Sequence, residues 1–293
     1  MINLHLNSSN SIMEELAKYQ NNEIIHVYLA NGVYYQKLRI YNDNITFTGE
    51  SKTDTIISFD DYATKIHSDG KEYNTFRTPT MTILGNNVVL ENMTIRNTAG
   101  YGKEISQAVA LSLYGDLITL RDCNLEGYQD TLFCGPLPED LTIRYQGFLP
   151  DEELNTKLTH QRFLHCTIKG SVDFIFGSAS ALFEDCDIYA LLPGYIAAPS
   201  TYENAEIGLV FYKSKIISIT SEVYLARPWR EHGCSIFCDC IFEGEFAKER
   251  YHDWNKHKYR FYETPYVETP MSQDLPKERM KLLKNDFDHL FTK

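Results

Sequence analysis

The chain has 293 residues, 43% hydrophobic and 13% aromatic, which is enough for a sizeable core in a single all-β domain. Its formal charge of -12 speaks against nucleic acid and against an anionic membrane surface as partners, and no apolar run approaches the length of a membrane span. The opening Met1-Ile2-Asn3-Leu4-His5-Leu6 has neither a basic nor an apolar leader segment, so for a native N-terminus the expectation is a cytoplasmic protein.

In chain order, the first predicted element is a short helix over residues 11–20. Ser11 is placed to cap it and Glu14 stands three residues on, in the capping-box position. Residues 1–22 read as an N-terminal cap. Helical periodicity then gives way to short β-rich runs separated by Gly, Asn and Asp. Six of these runs share the pattern apolar, any, polar, small or Met, any, apolar: 90–95, 120–125, 163–168, 183–188, 211–216 and 237–242. Their fourth positions are 30, 43, 20, 28 and 26 residues apart, as when loops of variable length interrupt a repeated strand. A strand motif recurring at this period, with no helices between, predicts a single-stranded parallel β-helix. The N-terminal helix would close the open end of the stack, because a bare strand edge invites pairing with other chains.

The segment 136–160 interrupts the stack. It is read as an ordered loop on one face, carrying Ile143, Tyr145, Phe148 and Leu149. The tail over 251–293 ends in a predicted helix from Lys277 to Phe291 and is expected to pack along the outside of the stack. The whole chain is thus one domain. Seven cysteines raise the question of disulfides or metal, but their number is odd and no CxxC occurs. Cys123, Cys166, Cys186 and Cys240 all fall at the fourth position of the repeat. Equivalent positions of stacked coils form ladders about 4.8 Å apart, so these thiols read as small core fillers.

Two segments stand out, Gly127-Tyr128-Gln129-Asp130-Thr131-Leu132-Phe133 and Val172-Asp173-Phe174-Ile175-Phe176-Gly177. Each sets one acid inside an apolar, aromatic run of the kind expected for a buried strand, where an ionised Asp is costly unless paired or hydrogen-bonded. A turn anchored by the carboxylate is the structural alternative. On neighbouring coils the two acids would instead form a pair, one with its pKa pushed up and one with it pushed down, supplying a proton donor and a nucleophile or base. Gln129 adjoins one acid and Gln107 lies in the predicted strand 107–111. They read either as a structural amide ladder or as neutral donors to a developing oxyanion. Arg227 ends another apolar strand, where it forms either a surface salt bridge or a bidentate clamp on one Asp. Trp229 is either a core plug or a platform for a sugar ring. Motifs for a serine hydrolase, a phosphate loop or a zinc hydrolase are absent, and the nine His are scattered.

Together, Gln107-Ala108-Val109-Ala110-Leu111, the two Asp segments and Leu225-Ala226-Arg227-Pro228-Trp229 occur in the order found in pectin methylesterases (pectinesterases), which the chain resembles over about residues 24–265. The resemblance implies a right-handed parallel β-helix with an external groove, no cofactor and no metal, and a monomer whose partner is methyl-esterified galacturonan or its oligosaccharides. Carried onto this sequence, it makes Asp173 the nucleophile, Asp130 the acid and then base, and Gln107 and Gln129 the oxyanion donors. Arg227 orients Asp173 and Trp229 stacks on the sugar, while Phe76, Thr80, Tyr128 and Phe176 are candidates to line the groove. The chain departs from the family at Gln36 for a usual Glu, Ala226 for a usual Gly, Tyr251 for a second groove Trp, and in the long 136–160 insertion. With a cytoplasmic location, the expected substrate is a short imported oligomer; the negative chain suits a neutral ester and expels an acidic product. A non-catalytic uronate-binding β-helix, a lyase or glycosidase on the same scaffold, and an esterase for a different ester are the rival readings.

Overall fold

A computed structural model describes residues 1–292 of the chain; Lys293, the end of the predicted tail, lies outside the described residues. The strands form three sheets, of eleven, seven and eight strands, with parallel pairing between coils. The chain visits the sheets in turn. Val89–Glu91 lies in the eleven-stranded sheet, Thr94–Asn97 in the eight-stranded and Leu111–Leu113 in the seven-stranded one. Ile118–Arg121 then pairs with Val89–Glu91 and begins the next coil. This is a right-handed parallel β-helix, as expected.

The repeated six-residue run is a corner, not one strand. Its first two residues end a strand of the eleven-stranded sheet and its last lies in a strand of the eight-stranded sheet. The polar third residue makes the bend: Asn92, Asp122, His165, Asp185, Lys213 and Asp239 all have φ between 51° and 56°. This left-handed conformation costs a residue with a side chain roughly 1–2 kcal/mol, least for Asn and Asp, which hold four of the six places. Asn92 offsets that cost by donating from Nδ2 to the carbonyls of Gly49 and Glu50 in the coil before.

The first position of the run faces the core. Phe163, Phe183, Phe211 and Phe237 are fully buried and stack at 4.4, 4.8 and 4.6 Å between ring centroids, which is the strand spacing imposed on the rings by the sheet. The fourth position holds the predicted cysteine ladder, and all seven cysteines are free thiols. Cys123, Cys166 and Cys186 are buried, with Sγ about as far from neighbouring carbonyls as a weak S–H bond allows.

The N-terminal segment is more than a cap. Ile2–Leu6 is a strand that pairs with Ile25–Leu29 and ends the eleven-stranded sheet; the alternation of Ile2, Leu4 and Leu6 was its signal. Helix α1, Ile12–Leu16, is shorter than predicted, and its N-cap Ser11 accepts from Glu14 N as expected. It buries Ile12 and Leu16 against Leu38–Ile40, the end strand of the seven-stranded sheet. Gln36 fixes it there. Its Oε1 accepts from Ile12 N at 2.9 Å and its Nε2 donates to Asn10 O at 2.6 Å. A carboxylate accepts but cannot donate, so this departure from the family suits its place.

Helix α2 (Glu139–Arg144) belongs to the insertion. The C-terminal tail is only partly external. Arg260–Thr264 and Gln273–Asp274 extend the eleven-stranded sheet, and Phe261 and Tyr251 enter the core. Helix α3, Lys277–Leu290, then lies outside that sheet, with Met280, Leu283 and Phe287 against Leu182, Val210 and Ile236.

Candidate active site

Outward-facing side chains of the seven-stranded sheet form a second apolar cluster. Phe133 and Phe176 are in register on adjacent coils, with Ala198 next. The insertion covers them. Leu137, Leu141, Tyr145 and Leu149 are buried against Phe76, Phe133 and Phe176, whereas Ile143 is 66% exposed and does not pack as expected. Two ties hold the insertion down. Glu153 is buried in an ion pair with Arg39. Arg77 donates from Nε and Nη2 to Phe148 O and lies 3.7 Å from the centroid of its ring. Between insertion and sheet runs a cleft of about 380 Å³.

Asp130 and Asp173 line this cleft. Leu132 pairs with Ile175, which puts the two acids in register one strand spacing apart, and Asp130 N donates to Val172 O at 3.0 Å. Neither acid is inside a strand, contrary to the sequence reading. Each occupies a left-handed bend, φ 62° and 50°, two residues before Leu132–Cys134 and Ile175–Gly177 respectively. In a regular strand the side chain would take its turn in the alternation; the bend exempts it and frees the carboxylate to face the cleft. Gly177, at φ +133°, closes the second segment where a Cβ would lie 2.0 Å from Cys134 O.

Arg227 follows the strand Val223–Ala226 and clamps Asp173 in bidentate fashion, Nε to Oδ1 at 2.8 Å and Nη2 to Oδ2 at 2.5 Å. Its guanidinium lies between the rings of Tyr195 and Trp254, 4.0 Å from each centroid. Burial and the charge of Asp173 hold the Asp130 carboxyl well above its ordinary pKa, against the pull of Arg227. Asp173 is also raised by burial, but its bonds to Arg227 oppose the shift. The expected division into one raised and one lowered acid is therefore corrected: both are pushed up, Asp130 more strongly, because desolvation acts on both and only Asp173 is clamped.

Gln107 and Gln129 reach the cleft. Gln107 lies outside the strand predicted for it, which starts only at Leu111. The N–H groups of Ala110 and Leu111 share the Thr131 carbonyl, and that bend breaks the ladder. Ser106 donates its hydroxyl to Gln107 Oε1 at 2.8 Å, which leaves the amide nitrogen free as a donor. Trp229, Phe76 and Phe176 line the cleft as expected, with Trp229 5.6 Å from Phe176 between ring centroids.

Two predicted lining residues are elsewhere. Thr80 is fully buried and donates to Arg96 O at 2.9 Å; Thr75, five residues earlier, is the threonine at the cleft. Tyr128 packs against Tyr101 with the rings tilted and 4.9 Å between centroids, outside the cleft lining. Tyr251 is also no groove residue, because it is buried and stacks on Phe261 at 5.1 Å. The second cleft tryptophan is Trp254. Sequence reasoning missed Trp254 and Tyr195. It also missed Arg144 and Arg230, which have no local signal.

Fold and cleft thus define a parallel β-helix with an arginine-clamped acid pair on its outer face. The Pectinesterase family matches residues 6–136 and 142–269, and the chain belongs to that family. The unmatched gap falls within the insertion. Pectinesterase QRT1 of Arabidopsis thaliana is 30% identical over 249 residues, 82% of this chain; the chain spans 59% of that relative's length. A pectin methylesterase crystallised in complex with a hexasaccharide superposes with a TM-score of 0.75 at 23% identity, covering 96% of this chain and 95% of that one. Carrot pectin methylesterase gives 0.76 at 24% identity, covering 94% and 89%. At those identities the structures speak for the fold.

Proposed function

We propose that this chain is a pectin methylesterase, hydrolysing methyl esters of galacturonan or its oligosaccharides to carboxylate and methanol. The observation that carries the reading is the bidentate Arg227–Asp173 pair, in register with the buried Asp130 in one cleft.

In this reading an Asp173 oxygen attacks the ester carbonyl, and the carbonyl oxygen takes up the electron pair facing the amides of Gln107 and Gln129. Losing one such donor costs on the order of 10²–10³ in turnover. As the intermediate collapses, the C–O bond to the methoxy group breaks and Asp130 delivers its proton, releasing methanol. An anhydride between Asp173 and the uronate remains. Water then attacks it, Asp130 takes the water's proton, and Asp173 leaves as carboxylate. Burial suits Asp130 to this part, since it favours the protonated form that the first step consumes. The clamp suits Asp173, since Arg227 favours the ionised form that attacks. Trp229, Phe76 and Trp254 supply flat apolar faces for sugar rings.

Methanol release from methyl-esterified oligogalacturonates, with Asp173→Ala in parallel, tests this. Release by the native chain and none by the variant is the expected outcome. Release by both would overturn the assignment of Asp173, and release by neither would overturn the esterase reading.

A further inference from the structure

We propose that Ser106 is a positioning residue for the oxyanion site: its hydroxyl holds the Gln107 side chain so that the amide nitrogen, and not the amide oxygen, faces the ester carbonyl. The inference rests on the esterase reading for its reaction and on the chain before Leu111 for its geometry.

The backbone at Gln107 is pinned on both sides. Its carbonyl accepts from Ala63 N at 2.8 Å, and Ala108 N donates to Gln129 O at 3.1 Å. Those bonds fix where the side chain starts, but not which end of its planar amide points into the cleft. The amide carries an acceptor oxygen on one side and a donor nitrogen on the other. A developing oxyanion needs the nitrogen; the oxygen in its place would repel it. The choice falls to Ser106, whose Oγ donates to Gln107 Oε1 at 2.8 Å. With the hydroxyl on Oε1 and the amide nitrogen on the oxyanion, every hydrogen involved has an acceptor. With the amide turned over, the serine proton loses its acceptor and the amide oxygen confronts the oxyanion. Donation to Oε1 also polarises the amide, which strengthens the bond that its N–H makes.

Adjacent side chains rarely meet in this way. In an extended strand, residues i and i+1 point to opposite faces, and Ser106 would then be turned away from the Gln107 side chain. Ser106 instead has φ 61°, a left-handed conformation that is costly for a serine. The turn before it imposes this: Ile105 N and Ser106 N both donate to Gly102 O, at 3.1 and 2.8 Å, and Gly102 itself has φ 114°. Thr64 holds the same turn by donating its hydroxyl to Glu104 O. Strain of this kind persists where the surrounding structure enforces it, and it clusters at working sites. Ser106 is not among the residues lining the cleft beside Gln107, and instead lines a neighbouring depression with Tyr101 and Lys103. It acts through Gln107 and does not touch the reacting atoms.

Ser106→Gly is the discriminating variant, because glycine takes φ 61° without cost and lacks only the hydroxyl. In methanol release by the whole chain, kcat should fall about three- to tenfold, the scale of one neutral hydrogen bond, with KM unchanged because the oxyanion exists only in the transition state. The unfolding midpoint should stay level or rise, whereas a structural role would lower it and kcat with it. Ser106→Asn, which tolerates the same φ and carries an N–H donor, should recover part of the loss. In the Gln107→Ala background, Ser106→Gly should change kcat no further. A native kcat in Ser106→Gly, or the same loss with and without Gln107, overturns the proposal. The NMR order parameter of the Gln107 side-chain amide, assigned by its loss in Gln107→Ala, reads the same contact without turnover and should drop in Ser106→Gly. If the native chain releases no methanol but this order parameter drops, the esterase reading fails and positioning by Ser106 stands. If methanol is released while kcat and the order parameter both ignore Ser106, the esterase reading stands and the positioning fails.

Discussion

Replacing Arg227 by Met removes the clamp while keeping an apolar stem between Tyr195 and Trp254. Asp173 then keeps its burial and loses both of its bonds, at 2.8 and 2.5 Å, to a guanidinium. Stripping one partner from a buried ion pair costs about 3–5 kcal/mol, because the remaining charge is uncompensated. The pair is only partly buried, its side chains being 17% and 15% exposed, so the low end, about 3 kcal/mol, is the expected loss at pH 7. The loss depends on pH with a definite sign. Burial already raises the Asp173 pKa and Arg227 opposes it, so the variant's Asp173 is raised further. A raised carboxyl favours the folded state fully below its unfolded pKa, and that contribution is lost as pH rises through the folded value. The deficit of Arg227→Met should therefore be small near pH 4 and grow toward pH 8. Urea-unfolding midpoints of native chain and variant across this range measure it. The double variant with Asp173→Asn should lose less than the sum of the two single changes. A deficit that stays constant with pH would refute the argument, since it would then reflect lost packing and not an unpaired charge.

Asp130→Asn should abolish methanol release yet stabilise the fold, increasingly so from pH 5 to pH 8. The native Asp130 is held protonated by burial and by Asp173, and its ionisation opposes folding as pH rises through its raised pKa; parallel unfolding curves for the two proteins would contradict this. Gln36→Glu replaces a donor–acceptor pair by an acceptor beside Asn10 O, and should cost about 1–2 kcal/mol in unfolding experiments at pH 7 through the unsatisfied bond. Because Gln36 sits at the α1 end, turnover of the folded variant should be unaffected; a large change in kcat would show that the N-terminal end communicates with the cleft.

The β-helix was legible because its core obeys a ladder. Phe163, Phe183, Phe211 and Phe237 must repeat a residue type that stacks at strand spacing, and the repeat survives loops of any length. The motif was misread as one strand because periodicity marks which residues face the core but not where the chain bends. The bend rests on φ at a single polar residue, and Lys213 and His165 adopt it as Asn92 does, although it costs them more. Asp130, Asp173 and Arg227 were legible because an ionisable group within an apolar run is conspicuous. Thr80 and Tyr128 failed for the opposite reason. Nothing in a sequence separates a threonine hydroxyl satisfied by Arg96 O from one open to a groove. The ion pair of Asp140 with Arg230, ninety residues away, was hidden because nothing local in the sequence marks it.

The corners and the candidate site use the same backbone device to different ends. At Asn92 or Asp185 the left-handed residue turns the chain from one sheet to the next, and at Asn92 the side chain bonds the backbone of the coil before. At Asp130 and Asp173 the same conformation stands two residues before a strand, and the carboxylate is turned toward the cleft instead. Strain of roughly 1–2 kcal/mol at each is tolerable because the flanking ladder fixes both neighbours: Asp130 N bonds Val172 O, and Leu132 N bonds Phe174 O. A stack of coils thereby holds two acids in register without loops that must be ordered separately. The cleft's opposite wall has no such support, since it comes from the insertion. That division allows the floor to stay fixed by sheet geometry while the insertion that faces it is anchored separately, through Glu153 and Phe148.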